Sequence, residues 1–149
     1  MAEKPTFRNS FKRRRCLVPA DGFYEWKATG QKHKQPFVIR PVDGKPLAFA
    51  GLWDRWHSPA GETLERMTIV TTAANDLMRR LHERMPVILP PEHFALWLDP
   101  ACQKAALLTS LLMPCPDALL SVTPVSTFVS NARNEGPRCL EPVTLPSTP

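Results

Sequence analysis

Much of what usually signals a particular chemistry is missing from these 149 residues. The four cysteines, Cys16, Cys102, Cys115 and Cys139, form no C-x-x-C pair, and the four histidines, His33, His57, His82 and His93, have no paired metal-ligand spacing. The sequence therefore carries no zinc signature and no expected metal. No glycine-rich loop that could cradle a phosphate is present, so nucleotide-dependent enzymes of the common kinds are excluded and no cofactor is expected. No apolar run is long enough to span a bilayer, and the opening MAEKPTFRNSFKRRR lacks the apolar stretch of a signal peptide. The expectation is a cytoplasmic protein without a membrane partner, its cysteines reduced and used for packing. Glycine is scarce, six against seventeen prolines. Rigid prolines that cannot donate to a ladder predict short strands, many bends and few long helices.

What is present is enough for a real core, with 43% hydrophobic residues and 22% charged. The charge is uneven. Residues 1–40 carry a net +7 and the remainder a net −2, with the densest stretch at Lys12 to Arg15. Such a run attracts phosphates, and it also serves as a solubilising edge. CLVPADGFYEWK predicts an extended stretch, a turn at Asp21-Gly22 and a strand into Trp26. PFVIRP (36–41) and PLAFAGLWDRW (46–56) predict two strands joined around Asp43-Gly44, and LERMTIVTT (64–72) a further strand. Helical spacing covers residues 73–82, 90–98 and 100–112. Another strand is predicted over 118–126, broken by Pro124, and a last short one in RCLEPV. The fold class is α+β, strand-rich, with a few short peripheral helices.

Two stretches hold candidate chemistry. In RRCLVPADGFYEW (14–26), a strand puts Phe23, Glu25 and Lys27 on one face and Tyr24 and Trp26 on the other. Glu25 is then either a solvent-facing partner of Lys27 or a carboxylate kept in a cleft. In LHERMPVILP (81–90), His82 falls at a predicted helix end and Arg84 follows two residues later, before the rigid Pro86. This is either a site with a tunable imidazole and a phosphate-binding fork, or a helix end whose cations answer the dipole.

Taken in order, RRCLVPADGFYEWK, KQPFVIR, PLAFAGLWD, TIVTTAAND, LHERMPVIL and VSNARNEGPRCLEPV resemble the SOS-response-associated peptidase (SRAP) family over nearly all of residues 3–143. The resemblance implies a mixed fold with a barrel-like sheet and a basic groove for single-stranded DNA, and recognition of abasic sites. In that family an N-terminal cysteine attacks the open-chain sugar aldehyde, and its amine and thiol together close a thiazolidine crosslink. An autopeptidase activity is also implied. Glu25 and His82 match the family's acid/base and sugar-positioning groups, Arg84 a phosphate-contacting arginine, and Thr71 a threonine at the pocket edge. With Arg15 of the basic run, Arg84 and Thr71 are the expected DNA-binding residues. The family begins MCGR, whereas this chain begins MAEK. Residues 1–143 are therefore expected to be the C-terminal two-thirds of the family domain, without the N-terminal cysteine, and 144–149 a frayed tail. The expected consequence is an absent thiazolidine crosslink. A non-covalent single-stranded-DNA-binding module and an inactive remnant remain as the alternatives.

Overall fold

A computed structural model describes residues 5–30 and 32–145. The N-terminal positions 1–4 and residues 146–149 of the expected tail lie outside the described residues. The chain divides into two compact units, each assembled from three separate stretches of sequence.

The first unit comprises residues up to Ala20 with Leu47–Ala73 and Met85–Cys115. It opens with a helix that the sequence reading missed, α1 (Pro5–Arg13), whose last turn carries Lys12 and Arg13 where the helix dipole favours cations. Three antiparallel strands follow, in the order β1 (Arg15–Ala20), β4 (Leu47–His57), β5 (Thr63–Ile69). Cys16 pairs with Gly51 in this ladder. A Cβ on Gly51 would lie 2.7 Å from the Cys16 sulfur, so glycine is what lets the two strands close there. A short pair, β6 (Thr71–Ala73) with β7 (Arg84–Pro86), extends the strand content.

Phe11, Leu52, Val70, Val87, Trp97 and Leu108 form the centre of the first unit's core, each no more than 1% exposed. Trp97 sits on α3 (Phe94–Leu98), meets Phe11 edge-on at 6.1 Å, and donates its indole N–H to the Cys16 carbonyl at 2.9 Å. Three backbone bonds close a ring at the heart of this core. Ala50 donates to Val87 (2.9 Å), Val87 to Val70 (2.9 Å) and Val70 to Ala50 (2.8 Å).

The second unit comprises Asp21–Pro46, Ala74–Arg84 and the chain from Pro116 on. Its sheet is antiparallel in the order β2 (Phe23–Lys27), β3 (Gln35–Pro41), β8 (Leu120–Pro124), and the central Ile39 is completely buried. The turn at Asp43-Gly44 forms, but β3 and β4 do not pair with each other, because each is already flanked on both sides in its own sheet.

The strand-rich α+β class with few short helices is what the structure has, in open antiparallel ladders. The helices are shorter than their periodicity predicts. The 73–82 stretch yields one turn, α2 (Asp76–Arg79), because Asn75 caps Met78 N–H and the chain then bends as Leu81 and His82 both donate to the Met78 carbonyl. Over 90–98, a 3-10 turn (Pro91–His93) leads into α3. The 100–112 stretch keeps only α4 (Ala105–Ser110), because Asp99 accepts from Ala101 N–H and Lys104 is extended. The predicted final strand is instead a 3-10 turn, Pro137–Leu140, followed by a single bridge from Val125 to Pro142. The prolines there cannot donate to a ladder. No helix among the described residues is long and apolar enough to cross a membrane.

Candidate functional site

Glu25 lies mid-way along β2, which among the described residues is an edge strand paired to β3, opposite Phe37. It is half-buried while Lys27 is exposed, and the two make no ion pair. Its Oε1 instead accepts the backbone N–H of Trp26 at 3.0 Å. Its Oε2 has no partner among the described residues, which leaves one carboxylate oxygen oriented and the other available.

The residues on either side of Glu25 are tethered by their polar tips. The Trp26 indole N–H donates to Ser130 Oγ at 3.0 Å, and the Tyr24 hydroxyl donates to the Cys139 carbonyl at 3.4 Å. Burial pushes the Tyr24 hydroxyl up from its ordinary value of 10.0, Cys139 adds to that, and Arg40 opposes it. The sequence reading gave these two aromatics no role. Their alternation with Glu25 was the available signal.

His82 follows α2 in an exposed turn. The backbone N–H of Arg84 donates to its Nδ1 at 3.0 Å, and the Arg84 carbonyl lies 3.2 Å from the same nitrogen. The first contact suits the neutral ring with its proton on Nε2. Protonation of Nδ1 makes the second contact a donor bond. Nε2 has no partner among the described residues. The Ala74 N–H to Glu83 carbonyl bond (2.9 Å) closes the base of this excursion. Glu25, His82 and Arg84 thus belong to one compact unit, although Glu25 and His82 are 57 positions apart in sequence.

Thr71 and Arg15 belong to the other unit. Thr71 is exposed at the start of β6, next to Thr72, whose hydroxyl is turned onto the Leu112 carbonyl at 2.9 Å. Arg15 departs from the sequence expectation. It is 7% exposed, and its guanidinium donates to five carbonyls: Trp97 (2.5 Å), Phe11 (2.7 Å), Lys12 (2.6 Å), Cys102 (3.1 Å) and Asp99. A guanidinium has five N–H donors, so none remains for a phosphate. The physical reason is helix termination. Arg15 collects carbonyls at the ends of α1 and α3 that have no partner inside their own helices, and one more from Cys102 in the turn between α3 and α4. Its neighbour Arg14 pairs with Asp54 and stacks 5.7 Å from the Trp53 ring.

No group of three or more metal-ligating side chains is found among the described residues. Burial pushes the Cys16 thiol up from 9.0, and Cys115 and Cys139 are buried, so these three are poor thiolate nucleophiles.

A family model described as SOS response associated peptidase (SRAP) matches residues 1–132. The abasic site processing protein YoqW of Bacillus subtilis (strain 168) is 40% identical over 141 residues, covering 95% of this chain and 63% of that protein. The abasic site processing protein HMCES of Xenopus tropicalis is 35% identical, covering 97% of this chain and 48% of that protein. A crystal structure of a Bacteroides thetaiotaomicron protein superposes with a TM-score of 0.86 at 32% identity, covering 96% of this chain and 62% of that one. The chain thus spans less than two-thirds of the length of these relatives.

Proposed function

The chain belongs to the SOS-response-associated peptidase family, and from that premise we propose that it handles abasic sites in single-stranded DNA as part of a cytoplasmic DNA-damage response. The chemistry is imine formation at the open-chain sugar aldehyde. An amine of the protein attacks C1′, the carbonyl electrons move to oxygen, and that oxygen takes a proton. The resulting carbinolamine then loses water as nitrogen gives up a proton and the C=N bond forms. Both steps need a proton acceptor near the amine and a donor near the oxygen. Glu25 Oε2 is the acceptor and His82 Nε2–H the donor, while Arg84 holds a neighbouring phosphate. A pair of this kind also serves peptide hydrolysis, the activity in the family's name.

The observation that supports this reading is that Glu25 and His82 share a compact unit, each with one polar atom held by the backbone and the other left open. The test is borohydride trapping on a single-stranded oligonucleotide with one abasic site, read on a denaturing gel. A trapped adduct is expected, formed at least about tenfold more slowly by Glu25→Gln and by His82→Ala. Equal trapping by both variants overturns the assignment. The net +7 of residues 1–40 favours a second reading, a non-covalent module. That reading expects salt-dependent binding to intact single strands and no trapped adduct.

A further inference from the structure

The block VSNARNEGPRCLEPV contributes to the family resemblance, yet none of its residues enters the chemistry above. In the structure it folds back on the strand that carries Glu25. Its two ends are fixed to the second unit's sheet and to each other. Val125 N–H donates to the Pro36 carbonyl (3.0 Å), Ser126 N–H to Glu141 (3.0 Å) and Val143 N–H to Pro124 (3.0 Å). The Gln35 side chain donates to the Val125 carbonyl at 2.8 Å.

Between those ends the segment is braced by its own side chains. Ser126 Oγ accepts from Phe128 N–H (3.2 Å), the Asn134 amide donates to the Phe128 carbonyl (2.7 Å), and Arg138 lies 4.3 Å from the Phe128 ring. The Cys139 thiol donates to the Asn134 carbonyl at 3.6 Å. Gly136, at φ 85°, makes the bend into Pro137–Leu140 that a residue with a Cβ resists. A segment held this firmly presents two groups to β2, the Ser130 hydroxyl to Trp26 and the Cys139 carbonyl to Tyr24.

Side chains alternate along a strand, so fixing Tyr24 and Trp26 on one face fixes the direction of Glu25 on the other. The edge strand has no second strand beside it among the described residues to do this. We propose that residues 126–141 are a strap that positions Glu25, with Ser130 as its principal positioning residue and Asn134 as its brace. The strap acts through the Trp26 indole and does not touch DNA. The proposal rests on the acid–base reading of Glu25.

The experiment compares Ser130→Ala and Ser130→Thr in the full chain. Single-turnover borohydride trapping gives the rate, equilibrium binding to the same abasic strand gives the affinity, and hydrogen exchange by NMR reports the Trp26 backbone and indole N–H groups. Ser130→Ala is expected to trap about tenfold more slowly at unchanged affinity and to exchange both Trp26 protons faster, while Ser130→Thr keeps its hydroxyl and restores both. An unchanged rate with unchanged exchange overturns the strap, and so does a loss of affinity at an unchanged rate. If Glu25→Gln proves silent, the acid–base reading fails by itself. Exchange at Trp26 then still decides whether Ser130 holds the strand: faster exchange in Ser130→Ala upholds it, and unchanged exchange overturns it.

Discussion

The two compact units use their polar groups in opposite ways. In the first, Arg15 turns inward and gives all five donors to carbonyls. In the second, Glu25 and His82 each give one atom to the backbone and keep the other outside. A residue's charge is the same in both settings. What separates a structural arginine from a candidate reactive group is how many of its donors and acceptors the fold has already taken.

The largest effect expected from this contrast is at Arg15. Arg15→Ala leaves buried carbonyls without partners and should cost at least about 3 kcal/mol, read as a fall in the urea midpoint. Arg15→Lys keeps the charge but has three donors, so it should still lose about 2 kcal/mol. Were Arg15 a DNA contact, the lysine variant would be stable and only weaker in binding. Next comes Gly51→Ala, which forces a methyl against the Cys16 sulfur and should cost about 2 kcal/mol alone. In a Cys16→Ala background the same substitution should cost less, a non-additivity that measures the sulfur contact, with Val18 Cγ2 at 3.1 Å from the new Cβ accounting for a remainder.

A smaller effect separates the units by pH. Cys16 and Tyr24 are both held neutral by burial above their ordinary values of 9.0 and 10.0. The unfolded chain therefore loses these protons first as the pH rises. Each group's contribution is fully present below its ordinary value and disappears as pH climbs through the folded one. Stability should decline above about pH 9, first through Cys16 and then through Tyr24. Tyr24 is the only tyrosine, so its absorbance at high pH reports it alone. In the second unit, Arg84→Ala should weaken single-strand binding about equally across sequences, lowering the salt slope by roughly one phosphate's share. The smallest effect belongs to the exposed pair Arg55–Glu65, at 2.5 Å. Its removal should cost under about 1 kcal/mol and vanish at high salt.

Much of the strand content was legible in the sequence, because β-branched and aromatic runs bounded by glycine and proline leave few other readings. Pairing was not. Nothing in PFVIRP or PLAFAGLWDRW says that β3 and β4 enter different sheets, since that choice depends on partners far along the chain. Helix length was overestimated because Asn75, Asp99 and Pro100 act as local stops that apolar spacing does not register. Glu25 and His82 stood out through their motifs. The strap at 126–141 did not, because its hydrogen bonds to β2 span more than a hundred residues and leave no local pattern. Arg15 was misread because a basic run looks the same from sequence whether one member faces in or out.

The ring of backbone bonds through Ala50, Val70 and Val87 bears on how quickly the first unit comes apart. Each segment is donor to one neighbour and acceptor from the other, so two segments alone can make only one of the three bonds. Closing the ring requires three stretches of chain to meet at once, which makes it a late event in folding. Interactions absent from the transition state act on the unfolding limb. Val87→Ala keeps these backbone bonds but strips the buried side chain packed around them, and it should speed unfolding several-fold while leaving the refolding rate almost untouched if the ring closes late, as a kinetic latch on the first unit.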